Sequence, residues 1–230
     1  MTNLKYKDLL NEWKKFSYKY FWGDPRDFRF FAMSKIPNNV FERVLDIGCS
    51  VGVVLNQFRS KTHFGIDVDL KSLKLGKKIY PDTEFIAASA NYLPFCDNVF
   101  DQIVSIHTLD IYEIDQEKVT NEIIRLSTKD TKLFLTGNWY KSRKKPTSNS
   151  EEKINGSWIP KLEKHFDLVV RGYHRPKMKG YNAKLKKILL IKTPNFIFKI
   201  LRPDQLFYNE FKKSETPIPM EPYIVKGLKK

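Results

Sequence analysis

Val44-Leu45-Asp46-Ile47-Gly48-Cys49-Ser50-Val51-Gly52 is the stretch whose reading decides the fold. An apolar run reaches a carboxylate, turns through small residues, and leads into a helical pattern. Short apolar runs bounded by glycine read as buried strands. Glycines at 48 and 52 let the backbone turn tightly and let a ligand approach the main chain. A helix starting beyond the turn offers unpaired N–H groups and positive potential to that ligand. The next strand-like run, Phe64-Gly65-Ile66-Asp67-Val68-Asp69, closes on a second carboxylate. Asp67 stands 21 residues past Asp46, about the interval at which an acidic residue reaches a ribose hydroxyl pair in a nucleotide fold. Asp69 reads as the cap of a helix beginning near Leu70, which leaves Asp67 for a ligand.

Outward from this stretch the pattern is regular. Strand-like runs fall at Arg43–Ile47, Thr62–Asp67, Glu84–Ala88, Asp101–Ser105 and Lys132–Thr136. Helical patterns at Val51–Phe58, Leu70–Ile79 and Gln116–Ser127 separate them. Phe166–Arg171 and Pro222–Lys226 read as two final strands, which makes seven. This alternation predicts a doubly wound α/β fold, a mostly parallel sheet with helices on both faces. Residues 1–42 read as an N-terminal helical segment, with Leu9, Leu10, Trp13 and Phe16 on one face. Asn138–Ser157 reads as a polar, exposed loop. Residues 174–221 read as an insertion before the last strand, placed over the carboxyl ends of the strands. All of this is expected to form one domain, with 43–137 as the nucleotide-binding core.

A third element makes the reading specific: Leu93-Pro94-Phe95-Cys96-Asp97-Asn98-Val99-Phe100-Asp101-Gln102-Ile103-Val104-Ser105. With the two carboxylate turns, it resembles the class I S-adenosylmethionine-dependent methyltransferases, nearest the small-molecule group related to ubiquinone biosynthesis. The resemblance covers residues 43–137 and implies a Rossmann-like methyltransferase fold with S-adenosylmethionine as cofactor and S-adenosylhomocysteine as product. It further implies that Asp46 and the loop Gly48, Cys49, Ser50 and Gly52 meet the methionine end of the cofactor. Asp67 would accept from the ribose hydroxyls and Val68 would lie on the adenine face. Ser89 and Ala90 would border the adenine edge, with Ile106 and His107 on the cofactor and substrate side.

The sequence departs from the family pattern in three places. Ser50 replaces the middle glycine of the loop, Ser89 replaces an adenine-binding aspartate, and Lys129-Asp130-Thr131 replaces a Pro-Gly-Gly turn. A dinucleotide dehydrogenase would need GxGxxG, and Ser50 and Val53 occupy its second and third glycine positions. Asp101 reads as structural, because its segment enters the strand from the opposite end of the sheet. Cys49 reads as a small residue filling a tight turn. His107 has two readings, a packed pocket histidine or a general base that deprotonates an acceptor hydroxyl. Displacement at an activated methyl depends chiefly on alignment, so a base is optional.

Composition narrows the acceptor. No apolar run approaches the roughly 18–20 residues of a membrane span, no signal-peptide pattern opens the chain, and two cysteines form no framework. A cytoplasmic protein, peripheral to the membrane at most, is the expectation. No His/Asp/Glu cluster has metal-ligand spacing, so no metal is expected. Formal net charge is +15. Residues 1–140 carry 19 Lys and Arg against 18 Asp and Glu, whereas residues 141–230 carry 22 against 8. The segment Lys184–Pro203 interleaves lysines with aliphatic and aromatic residues. It suits an interfacial element facing a small or lipid-like acceptor, an RNA-binding surface, or a solvated face packed on the domain. Ser105-Ile106-His107-Thr108-Leu109-Asp110 lacks the prolines of amino-methyltransferases acting on DNA bases, and Cys96 is misplaced for cytosine chemistry. The small or lipid-like acceptor is the preferred expectation; the alternatives are RNA methylation through the basic C-terminal third and a non-catalytic, cofactor-binding scaffold.

Overall fold

A computed structural model of the chain describes residues 32, 35–111, 113–138, 158–174, 212–214 and 222–230. Most of the N-terminal helical segment, the expected Asn138–Ser157 loop apart from Asn138, and most of the 174–221 insertion lie outside the described residues. Two compact units divide the chain, one made of residues 1–35 and 174–213, the other of 36–173 and 214–230. The second unit carries the site and is described below.

Its strands are β1 (Val40–Ile47), β2 (Arg59–Asp67), β3 (Glu84–Ala87), β4 (Phe100–Ile106), β5 (Ser127–Asn138), β6 (Phe166–His174) and β8 (Pro222–Lys229); the three-residue β7 (Lys212–Ser214) falls between the last two in sequence. The sheet order is β3-β2-β1-β4-β5-β8-β6-β7. The seven expected strands are all present, and β7 adds a short eighth. Strands β1 to β5 pair in parallel, while β8 runs antiparallel between β5 and β6. The carboxyl ends of β1, β2, β3 and β4 therefore share one edge of the sheet, where ligands of open α/β sheets bind.

Helix α1 (Leu70–Ile79) begins at Asp69, whose side chain accepts from the Lys71 amide, as the sequence predicts. Helix α2 (Gln116–Leu126) is capped the same way by Asp115. A five-residue α3 (Ile159–Glu163), not anticipated from sequence, follows Trp158. Val119, Ile123 and Leu126 of α2 and Ile159 and Leu162 of α3 pack on Leu45, Ile47, Ile103, Leu133, Leu135 and Val225. This is the main core. On the other face Phe58 meets Phe134 edge-on, with ring centroids 6.0 Å apart.

The helix expected over Val51–Phe58 is a correction: only a 3-10 turn forms, Leu55–Gln57. Gly52 has φ +79°, outside helical geometry, so a helix cannot run through it. Strand β1 also starts three residues earlier than predicted, at Val40, where Val40 and Phe41 pair in parallel with Arg59 and Ser60 of β2. The Asp101 carboxylate accepts from the amides of Glu42 and Arg43, both at 2.8 Å, in keeping with the structural role expected of it.

Candidate functional site

The sheet brings the predicted site residues together at its carboxyl edge. Gly48 and Cys49 donate their amides to the Ile66 carbonyl, at 2.8 and 2.9 Å, which pulls the loop after β1 over the end of β2. Ser50 then donates its amide to Asp67 Oδ2 at 2.8 Å. Its φ is +51°, so the serine that replaces the family's glycine takes the left-handed conformation a glycine would adopt. That conformation costs an L-residue roughly 1–2 kcal/mol, offset here by the bond to Asp67. Asp67 Oδ1 accepts from the Asp69 amide at 2.9 Å. Two main-chain donors thus hold this carboxylate in one orientation, and each oxygen keeps a second lone pair for a ligand hydroxyl.

Asp46 is different. It is 2% exposed, and its Oδ1 has no hydrogen-bond partner. Burial, and then the neighbouring Asp67 charge, push its pKa up to about 8. A buried carboxyl oxygen without a donor, next to a turn with positive φ at Gly48 and Gly52, is shaped for a cationic or donor group brought by a ligand. Gly48 also makes room for Thr108: a side chain at 48 would overlap the Thr108 hydroxyl and methyl. Cys49 is buried and its thiol pKa is raised, first by burial and then by the charges of Asp46 and Asp67. It fills the turn.

The remaining predicted positions line the same edge. Val68 is 75% exposed, an uncovered apolar side chain directly after Asp67. The Ala88 amide donates to the Asp67 carbonyl at 3.2 Å, which ties the turn after β3 to the end of β2. In that turn Ser89 Oγ accepts from the Asn91 amide at 3.2 Å, and Ala90 is buried. At the end of β4, Ile106 and His107 are half-buried. His107 has φ +59° and donates its amide to the Thr136 carbonyl at 3.2 Å. The backbone reversal at this residue ends the strand.

Two constellations escaped the sequence reading. The first explains the Leu93–Phe100 segment. Arg125 of α2 donates to the carbonyls of Leu93 and Phe95, at 3.1 and 2.7 Å, and to Asp97 Oδ1 at 2.7 Å. Glu122 accepts from Arg125 Nε and Nη2, both at 2.9 Å, and from the Leu93 amide. The Arg125 hydrogen bonds hold the Glu122 carboxyl below its usual range. The second is a buried cluster past β4. Asp110 accepts from Tyr223 Oη at 2.9 Å and Trp158 Nε1 at 3.2 Å, and a side chain at Gly137 would collide with both Asp110 and Tyr223. Burial, then the Asp110 charge, raise the Tyr223 pKa. Neither cluster has a local signature, since each joins residues far apart in sequence.

The strand order, the antiparallel β8 and the carboxylates at adjacent strand ends are those of a class I methyltransferase sheet. Residues 45–135, about two fifths of the chain, match the family described as "Methyltransferase domain", and this match supports S-adenosylmethionine as the cofactor of the segment. The chain is 29% identical over 119 residues to a demethylmenaquinone methyltransferase of Paenarthrobacter aurescens, covering 49% of this chain and 45% of that protein. It is 31% identical over 107 residues to a demethylmenaquinone methyltransferase of Renibacterium salmoninarum, covering 45% and 43%. The alignments thus span under half the length of either relative. In fold, the chain is similar to the YcgJ protein of Bacillus subtilis, with a TM-score of 0.57 at 14% identity, covering 88% of this chain and 98% of that one.

Proposed function

We propose that this protein transfers the methyl group of S-adenosylmethionine to a small, lipid-like acceptor, of the demethylmenaquinone kind for which two of its relatives are named. The observation that carries the reading is the buried, unpartnered Asp46 oxygen beside a fixed Asp67 carboxylate, across a left-handed turn. Bound there, the cofactor supplies a methyl group already activated on a sulfonium. The chain's residues do the rest. Asp46 receives the ammonium of the methionine moiety and gives up its proton as it does so. Gly48, Cys49, Ser50 and Gly52 present main chain to the same moiety. Asp67 accepts from both ribose hydroxyls, while Val68, Ser89 and Ala90 border the adenine. Ile106 shields the methyl side from water, and His107 is the base for a hydroxyl acceptor. The basic, aliphatic segment Lys184–Pro203, outside the described residues, suits recruitment of an amphiphilic acceptor from an anionic surface.

The test is calorimetric titration of S-adenosylhomocysteine into the wild type and Asp67→Ala. Loss of two charge-assisted hydrogen bonds predicts about 10- to 1000-fold weaker binding by the variant. Transfer of labelled methyl to a demethylnaphthoquinol, set against transfer to bulk RNA, then identifies the acceptor class. A folded wild type that binds no S-adenosylhomocysteine refutes the reading.

A further inference from the structure

Phe85 lies on β3 directly across from Gly65 of β2, and its ring occupies space that three glycines leave clear. A Cβ added at Gly52 would lie 2.7 Å from Phe85 Cζ; one at Gly76 in α1 would lie 2.7 Å from Cζ and 3.0 Å from Cε1; one at Gly65 would lie 3.1 Å from Cδ1. A side chain at Gly52 or Gly76 and the ring at 85 exclude one another, and one at Gly65 would crowd it. These glycines are also where the cofactor loop touches the sheet and helix. Gly52 closes the loop at φ +79°. A Cβ at Gly65 would lie 2.7 Å from Cys49 Sγ, and one at Gly76 would lie 3.0 Å from the Val51 carbonyl oxygen. One half-buried ring therefore lies against Gly52 at one end of the loop and shares with the Cys49 thiol, at the other end, the space over Gly65.

We propose that Phe85 is a positioning residue for the cofactor: its ring holds Gly52 and Cys49 so that the loop keeps the left-handed turn that directs the Ser50 amide to Asp67. Phe85 acts through the loop and need not touch the ligand. Glycine at 52 leaves the backbone many alternatives, so the turn is pre-organised only while something fills the space behind it, and pre-organisation is what affinity loses first. The cofactor arm of this inference rests on the proposed methyltransferase reading; the thiol arm below does not.

The test uses the 230-residue chain with Phe85→Ala and Phe85→Leu, and with Phe85→Val in place of the alanine variant should that one not fold. Two readouts are taken: S-adenosylhomocysteine affinity, and the rate at which an aromatic disulfide reagent modifies each thiol. Cys96 is exposed and Cys49 buried, so the wild type reacts fast at one thiol and slowly at the other. Phe85→Ala is expected to speed the slow thiol and weaken the ligand, each by about tenfold or more through local opening. Phe85→Leu, which refills most of the space, is expected to return both within about threefold of wild type. Leu162→Ala, a core cavity on the opposite face, lowers stability but moves neither readout, which separates positioning from general weakening. A folded Phe85→Ala chain with unchanged affinity and an unchanged Cys49 rate overturns the proposal. Absence of ligand binding by the wild type refutes the methyltransferase reading instead, and the thiol rates then decide the role of Phe85 alone.

Discussion

Asp46 holds the most consequential proton among the described residues. Its folded pKa, about 8, lies above the roughly 3.9 of an unfolded aspartate. Between about pH 4 and pH 8 the folded chain therefore binds a proton that the unfolded chain does not, and stability falls as pH rises across that window. Urea midpoints should decline from pH 5 to pH 8 in the wild type and flatten in Asp46→Asn. The ligand adds a second signature. An ammonium placed on Asp46 favours the carboxylate, so S-adenosylhomocysteine should release a proton on binding below about pH 8. Its affinity should rise with pH up to that point, by at most about tenfold per unit. Calorimetry in buffers of different ionisation heat reads this directly, and proton uptake would contradict it. At φ +79°, with Thr108 where its side chain would go, Gly48→Ala should cost about 2–3 kcal/mol, and Thr108→Ala in the same chain should recover only the steric part. The role of Asp69 was legible in sequence because it acts on its own helix start, whereas the partners of Asp101, the Glu42 and Arg43 amides of β1, lie 59 and 58 residues away and only the sheet brings them to it. The state of Asp46 was not legible, because it depends on what surrounds it.

At the scale of elements, strands and helices follow their local patterns well. Strand β1 ends before Gly48 and β2 ends on Asp67, and α1 begins at the aspartate that caps it. The misreading at Val51–Phe58 shows where local pattern stops: apolar spacing there suggests a helix, but the left-handed Gly52 and the loop's bonds to Ile66 and Asp67 leave only a 3-10 turn. The Leu93–Phe100 segment reads in sequence as a motif, and the structure shows what it needs. Arg125 satisfies two of its carbonyls and one carboxylate. Arg125→Ala should lower stability by about 2–3 kcal/mol, since part-buried acceptors lose a charged donor. Arg125→Lys should recover little, because an ammonium cannot span the same fork of acceptors. Urea denaturation of the two variants checks both statements.

Across the whole molecule, charge and long-range contacts set the behaviour. Nearly all of the +15 resides in residues 141–230. Binding to anionic phospholipid vesicles should therefore be strong at low salt and fall steeply as ionic strength rises, with little binding to neutral vesicles; sedimentation at two salt concentrations checks this. Tyr223→Phe should cost about 1–3 kcal/mol by removing a buried donor to Asp110 across 113 residues of chain. By itself the sequence determined the strand and helix alternation, the two carboxylates at successive strand ends and the resemblance to a cofactor family. Each is written in contiguous residues whose propensities and spacing act locally. Only the tertiary structure decided the proton on Asp46, the ring of Phe85 behind the loop, the Arg125 clamp and the Asp110 cluster. These depend on burial and on partners brought together from distant parts of the chain, and no local pattern encodes where such partners meet.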